Sequence, residues 1–299
     1  MSENITHTAV VDDALRLALA SDPITASFKA VAREHWDMAH LGCITRGGDR
    51  CNPGLLETLR ARWTARAPED YLEPKLAFVL GWLCHRAADR QMKPIFRRFH
   101  PEKKQSPTEC SIYHDAFLFG EIYLYGGESP YHPAMFGEVF DVLKDEVDVG
   151  NLHALVRVLL RRALIEMHTL IPDEDDPGGW VERLFKRKQE FYVDLARYDK
   201  AIRNPDPEKI RKYIVDDNFY DSAEPFIASA RRLQRGEQVS PAEIGEFLRQ
   251  EPRSHYAQAL KLAYGYLQAA SDFFTSTMAL DELKARLDIG EPGRDGLAV

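Results

Sequence analysis

Apolar residues recur at intervals of three and four along nearly the whole of this chain, a period that gathers them on one face only if the backbone is α-helical. "TAVVDDALRLAL", "TASFKAVAREHWDMAHLGC" and "LLETLRARWTAR" carry the pattern near the amino end. It continues through Tyr71–Arg90, Tyr113–Tyr125, His132–Asp145, Leu152–Ile171, Val181–Ile202, Ala223–Arg235 and Tyr256–Leu287. Between these segments stand "GGDRCNPG", "HPEKKQSP", "GGESPYHP", "PDEDDPGG", "RNPDPE" and "RGEQVSP", whose Gly, Pro and polar clusters stop helices. No alternating run of β-branched and aromatic residues offers a strand. The expected fold is all-α, a multi-helix bundle of about ten helices.

A chain of 299 residues, 44% of them hydrophobic, can bury a large core in one domain or two. The best candidate seam is "DEDDPGG" (Asp173–Gly179), because histidines are dense before it and sparse after it. Residues 1–172 are therefore expected to form the helical core with the site. Residues 173–299 would add helices packed on it, in the same domain or a second one. The net charge of -8 argues against bulk affinity for nucleic acid or anionic lipid. No apolar run is long enough to span a bilayer. The amino end lacks the pattern of a secretory signal, and the four cysteines form no CxxC pair. Together these features predict a cytoplasmic protein with reduced thiols.

"FVLGWLCHRAADR" (Phe78–Arg90) is an apolar helix interrupted by His85 and, four residues on, Asp89. Four residues turn a helix by about 400°, so the two side chains share one side. An isolated pair of this kind is as easily a boundary hydrogen bond, with Asp89 bridging Arg86 or Arg90. This pair is not isolated. "THTAVVDD" offers His7, "REHWDMAHLGCITRGGD" offers His35, His40 and Asp49, and "YHDAFLFGE" offers His114, Asp115 and Glu121. Helices that present such residues to a shared interior can give nitrogen and oxygen ligands to zinc or another divalent ion. Bound metal suits displacement at phosphorus, since it activates water and neutralises the oxygens that gain charge.

"AFVLGWLCHRAADRQMKP" resembles a segment of zinc-dependent phospholipase C-like proteins that reads roughly A-x-x-L-G-x-L-x-H-x-x-x-D-x-x-x-H-P. "MAHLGCITRGGD" is similar to their segment ending in a metal-binding Asp, and "THTAVVDD" to their amino-terminal Thr-His. The resemblance covers about Ile5 to Tyr125. It implies the all-helical fold shared by phospholipase C and the single-strand-specific zinc nucleases, and hydrolysis of a small-molecule or lipid phosphoester. It also implies metal ligation by His7, Asp49, His85, Asp89 and His114, with Asp49 as general base. Glu121 stands in for a carboxylate that the family places four residues after its last histidine, where this chain has Leu118. His35 and His40 compete for the early-histidine role.

The chain departs from the family pattern. Lys93-Pro94 stands where relatives have His-Pro, and Ile95 falls near a further expected histidine. One or two zinc ions are therefore expected rather than the family's three, with Lys93 holding substrate phosphate in place of a metal's charge. Two other readings stay open. His114–Asp115 also resembles the paired residues of HD-domain phosphohydrolases, with His85 before them and Asp145 or Asp148 after. Alternatively, the polar residues form a buried hydrogen-bond network in a non-catalytic helical scaffold with a degenerate metal site.

Overall fold

The computed structural model describes residues 4–44, 49, 52–102, 107–124 and 204–291, with isolated positions between 178 and 202. Among the described residues there is no strand. In chain order the α-helices are α1 (Asn4–Ala20), α2 (Ala26–Glu34), α3 (Trp36–Ile44), α4 (Asn52–Arg62), α5 (Leu72–Phe99) and α6 (Glu109–Leu118). After them come α7 (Pro207–Ile210), α8 (Pro225–Gln234), α9 (Pro241–Arg249), α10 (His255–Thr275) and α11 (Leu280–Arg286). Two π-helical turns, Phe119–Leu124 and Arg211–Val215, follow α6 and α7. No helix among the described residues is long and apolar enough to cross a membrane. The segments His132–Asp145 and Leu152–Ile171, Asp145 and Asp148, and Cys51 lie outside the described residues.

The chain divides into two compact units, Met1–Thr6 with His100–Asp217, and His7–Phe99 with Asn218–Val299. The expected seam at Asp173–Gly179 falls inside the span of the first, and only Gly178 and Gly179 of it are described.

In the unit of His7–Phe99 and Asn218–Val299, α5 is the central element. It packs most extensively on α3 and α10. Leu76, Val79, Leu80, Leu83, Cys84 and Ala87 of α5 are each at most 1% exposed. The α3–α5 crossing is close because it is made by two glycines. A Cβ on Gly81 would overlap the Ala39 carbonyl, and one on Gly42 would overlap the Phe78 carbonyl. Neither glycine has a positive φ, so each is there for the space and not for the backbone conformation.

α5 runs nine residues beyond Arg90, straight through Pro94. An interior proline costs about 3 kcal/mol by deleting one ladder hydrogen bond. The apolar stripe runs across it, with Met92 before the proline and Ile95 and Phe96 after it all buried. Burying three such side chains contributes about 1.5–3 kcal/mol each, which outweighs the proline. Two further boundaries differ from the periodicity. Thr25–Cys43 is broken at His35, which ends α2 in a non-helical conformation. Tyr256–Leu287 is broken after Thr275. Helix α9 was hidden behind the breaker "RGEQVSP". Its signal is a capping box, in which Ser240 and Glu243 bond each other's backbone N–H, with Pro241 in the first turn.

In the other unit, Thr108 caps α6 and exchanges hydrogen bonds with Ser111. The Tyr213 hydroxyl and Lys209 ammonium both reach Glu109, at 3.0 and 2.5 Å. The buried Asp115 accepts from Thr6 N, Thr6 Oγ1 and the Tyr198 hydroxyl at 2.8, 2.6 and 2.7 Å. Burial pushes its carboxyl up to about 6, only partly offset by those bonds.

Candidate metal centre

His85, Asp89 and Lys93 follow one another at four-residue intervals along α5, so they form a single stripe. His7 of α1 faces that stripe. The His7 Nε2 lies 3.2 Å from Asp89 Oδ1, and the His85 Nε2 lies 3.2 Å from Asp89 Oδ2. The two imidazole rings stack, with centroids 4.3 Å apart and planes inclined by 22°. His7, His85 and Asp89 are only 3%, 6% and 8% exposed. The Lys93 ammonium sits 2.7 Å from Asp89 Oδ2. Burial would raise the Asp89 carboxyl, but the charge of His85 and the bonds to both histidines outweigh it and hold it well below the usual range.

The proton positions follow from what each partner can do. The His85 Nδ1 is 2.7 Å from the Cys43 carbonyl, which only accepts, so Nδ1 carries the hydrogen. A neutral His85 then points the lone pair of Nε2 at a carboxylate oxygen. Two lone pairs at 3.2 Å repel unless a cation, either a proton or a metal ion, lies between them. Protonating both stacked rings would set two positive charges 4.3 Å apart. His7 can instead meet Oδ1 as a neutral Nε2–H donor, so the cation that the group requires is the one between His85 Nε2 and Oδ2, a proton or a divalent ion.

The spacings suit an ion. A tetrahedral zinc with ligands at about 2.0–2.1 Å has ligand atoms about 3.3 Å from one another. Each histidine nitrogen lies 3.2 Å from its own oxygen of Asp89, His7 from Oδ1 and His85 from Oδ2, close to one such edge for each nitrogen taken singly. One ligand atom from each of His7, His85 and Asp89 can be chosen so that all lie within 4.8 Å of one another. The Cys43 carbonyl plays the part that backbone carbonyls take behind metal-binding histidines, fixing tautomer and ring orientation.

The other residues named from the sequence are held elsewhere. Asp49 is ion-paired with Arg86, whose remaining donors go to the carbonyls of Leu287 and Asp288. It does not join the triad. His114 belongs to the unit of His100–Asp217, where its Nε2 donates to the Tyr213 carbonyl at 3.1 Å. Glu121 is exposed, in the first π-helical turn, at a pocket of about 200 Å³ that Tyr113, Phe117 and Ile210 help to line. His40 donates to Asp12 at 2.6 Å, where the Trp36 indole also donates at 2.8 Å. His35 stands 3.8 Å from Glu73, both half-buried, in a group with the exposed Glu34.

The sequence reading passed over the buried acids of "VVDD". Asp13, 0% exposed, holds Arg231 and Arg16 and accepts from the Tyr256 hydroxyl at 2.8 Å. The available signal was a pair of carboxylates inside an otherwise apolar helix, which demands buried partners. Cys43, Cys84 and Cys110 are buried and in no disulfide, and burial pushes the Cys84 thiol well up. Comparison with family models, with curated proteins and with solved structures finds no match to this chain, so the triad's own geometry carries the functional reading.

Proposed function

We propose that the chain is a metal-dependent phosphoester hydrolase in which His7, His85 and Asp89 hold one divalent ion, zinc by the chemistry of the donors. The observation that carries this reading is the convergence of two imidazole Nε2 atoms on one carboxylate, with the Nε2 lone pair of His85 aimed there by the Cys43 carbonyl behind it. Three protein ligands leave a tetrahedral ion one open position, the arrangement of catalytic rather than structural zinc. An ion held there would lower the pKa of a bound water and polarise a phosphoryl oxygen. Asp89 supplies the ligand charge and orients the two imidazoles. Lys93 supplies a positive charge beside Asp89 Oδ2. Arg86 neutralises Asp49, so the reading assigns Asp49 no proton transfer. The resemblance to zinc-dependent phospholipase C-like proteins at Gly81–Asp89 supports the choice of phosphoesters.

A non-catalytic scaffold is the second reading. It is favoured by the Lys93 ammonium, which completes a charge-satisfied network around Asp89 with no ion at all. One experiment separates the two. Protein purified without chelator is analysed for metal, then assayed on p-nitrophenyl phosphoesters, phospholipids and single-stranded nucleic acid. About one metal per chain together with turnover on any of these supports the first reading. Absence of metal, or a metal-loaded protein inert on every class, leaves the second.

A further inference from the structure

Lys93 is the outermost member of the α5 stripe. Its side chain is 35% exposed, against 12% for Asp89 and 7% for His85. Its ammonium contacts Asp89 Oδ2, the same oxygen that faces His85 Nε2. An ion held by His85 and Asp89 would therefore lie near this oxygen as well. Two cations on one carboxylate oxygen repel each other, and the lysine is the one free to leave. It hangs on a flexible four-carbon stem, whereas the imidazoles are buried and stacked.

We infer that Lys93 is the exchangeable counter-ion of this site. It neutralises Asp89 until a metal ion arrives, swings off that carboxylate when the ion binds, and then holds an anionic oxygen of whatever occupies the ion's open position. The inference rests on the reading that the triad holds an ion. It also narrows the ligand class. A divalent ion, one carboxylate, one ammonium and two neutral imidazoles leave two positive charges, which a phosphate dianion balances. A terminal phosphate monoester or inorganic phosphate matches that count better than a monoanionic diester.

The test measures two affinities in the wild type, in Lys93→Met and in Lys93→Gln. Zinc is titrated in competition with a chromophoric chelator. Inorganic phosphate and dimethyl phosphate are then titrated calorimetrically into the zinc-loaded proteins. Removing the ammonium should tighten zinc about three- to tenfold, because the ion no longer displaces a partner of Asp89. The same change should weaken phosphate about tenfold, because a charge-assisted donor is lost. Phosphate should also bind the wild type more tightly than dimethyl phosphate. Opposite signs on the two affinities are not what general damage to the helix produces. Zinc affinity unchanged or weakened in both variants, or phosphate affinity unchanged, overturns the role of Lys93 while leaving the triad's metal intact. Equal affinity of the wild type for the two anions overturns the dianion assignment. If no variant binds zinc, the metal reading falls and this inference falls with it.

Discussion

The His85 Nδ1 donates to the Cys43 carbonyl across 2.7 Å, and this one bond leaves Nε2 as the only lone pair with which His85 can meet a cation. If the triad holds zinc as proposed, His85 is the residue whose loss should be felt most directly. Zinc at about 100 times its dissociation constant should stabilise the wild type by about 2.7 kcal/mol. His85→Ala should bind zinc more than about 100-fold less tightly and lose that stabilisation, whereas His35→Ala should retain it. Melting curves with and without zinc, for all three proteins, check this.

Gly81 and Gly265 predict opposite outcomes for the same substitution. A methyl group on Gly81 would meet the Ala39 carbonyl, so Gly81→Ala must push α3 off α5 and should cost about 1–3 kcal/mol or more. It should also weaken metal binding, because α3 delivers the Cys43 carbonyl to His85. Gly265 lies within α10, and a methyl there meets nothing within 4 Å. Gly265→Ala should therefore stabilise by about 0.5–1 kcal/mol. Urea denaturation of both variants tests the pair.

Asp115 links stability to pH. Its carboxyl is raised from the usual 3.8 to about 6 by burial. Between those values the folded state keeps a proton that the unfolded state has lost. The contribution is fully present below about pH 4 and disappears as pH rises through about 6. A shift of this size corresponds to about 3 kcal/mol. Asp115→Asn keeps an acceptor for Thr6 and removes the titration. The difference in unfolding free energy between wild type and variant should therefore change across pH 4 to 6 and be flat above about 7. A difference independent of pH would contradict the assignment.

Asp13 is fully buried between Arg231, Arg16 and the Tyr256 hydroxyl. Asp13→Ala takes a fully buried carboxylate away from the Arg231 guanidinium, whose side chain is 13% exposed. Breaking a buried pair in this way costs about 3–5 kcal/mol, far more than the pair itself contributes. Removing both partners, with Asp13→Ala and Arg231→Met together, should recover part of the loss. Denaturation of the two single variants and the double variant measures that coupling.

What the sequence determined by itself is local. A period of 3.6 residues needs no partner to be read, so helices α1, α4, α5, α8 and α10 are legible in the chain. Their ends are less so, because capping, a tolerated proline or a break at His35 depends on a few side chains. The His85–Asp89–Lys93 stripe is legible for the same reason, since helical rise and turn place every fourth residue on one side. Gly81 is legible as a point of close approach, though not its partner Ala39. The tertiary structure decided which distant residues meet. His7 reaches Asp89 across 82 positions of sequence, Arg86 takes Asp49 across 37, and His40 takes Asp12 across 28. The sequence offers His7, His35, His40 and His114, of which the family resemblance carries over His7 and His114 as ligands and leaves His35 and His40 competing for the early-histidine role. Which one completes the triad depends on how α1, α3 and α5 pack. That packing is settled by apolar burial summed over the whole unit and by the room that two glycines leave at one crossing, neither of which a local pattern records.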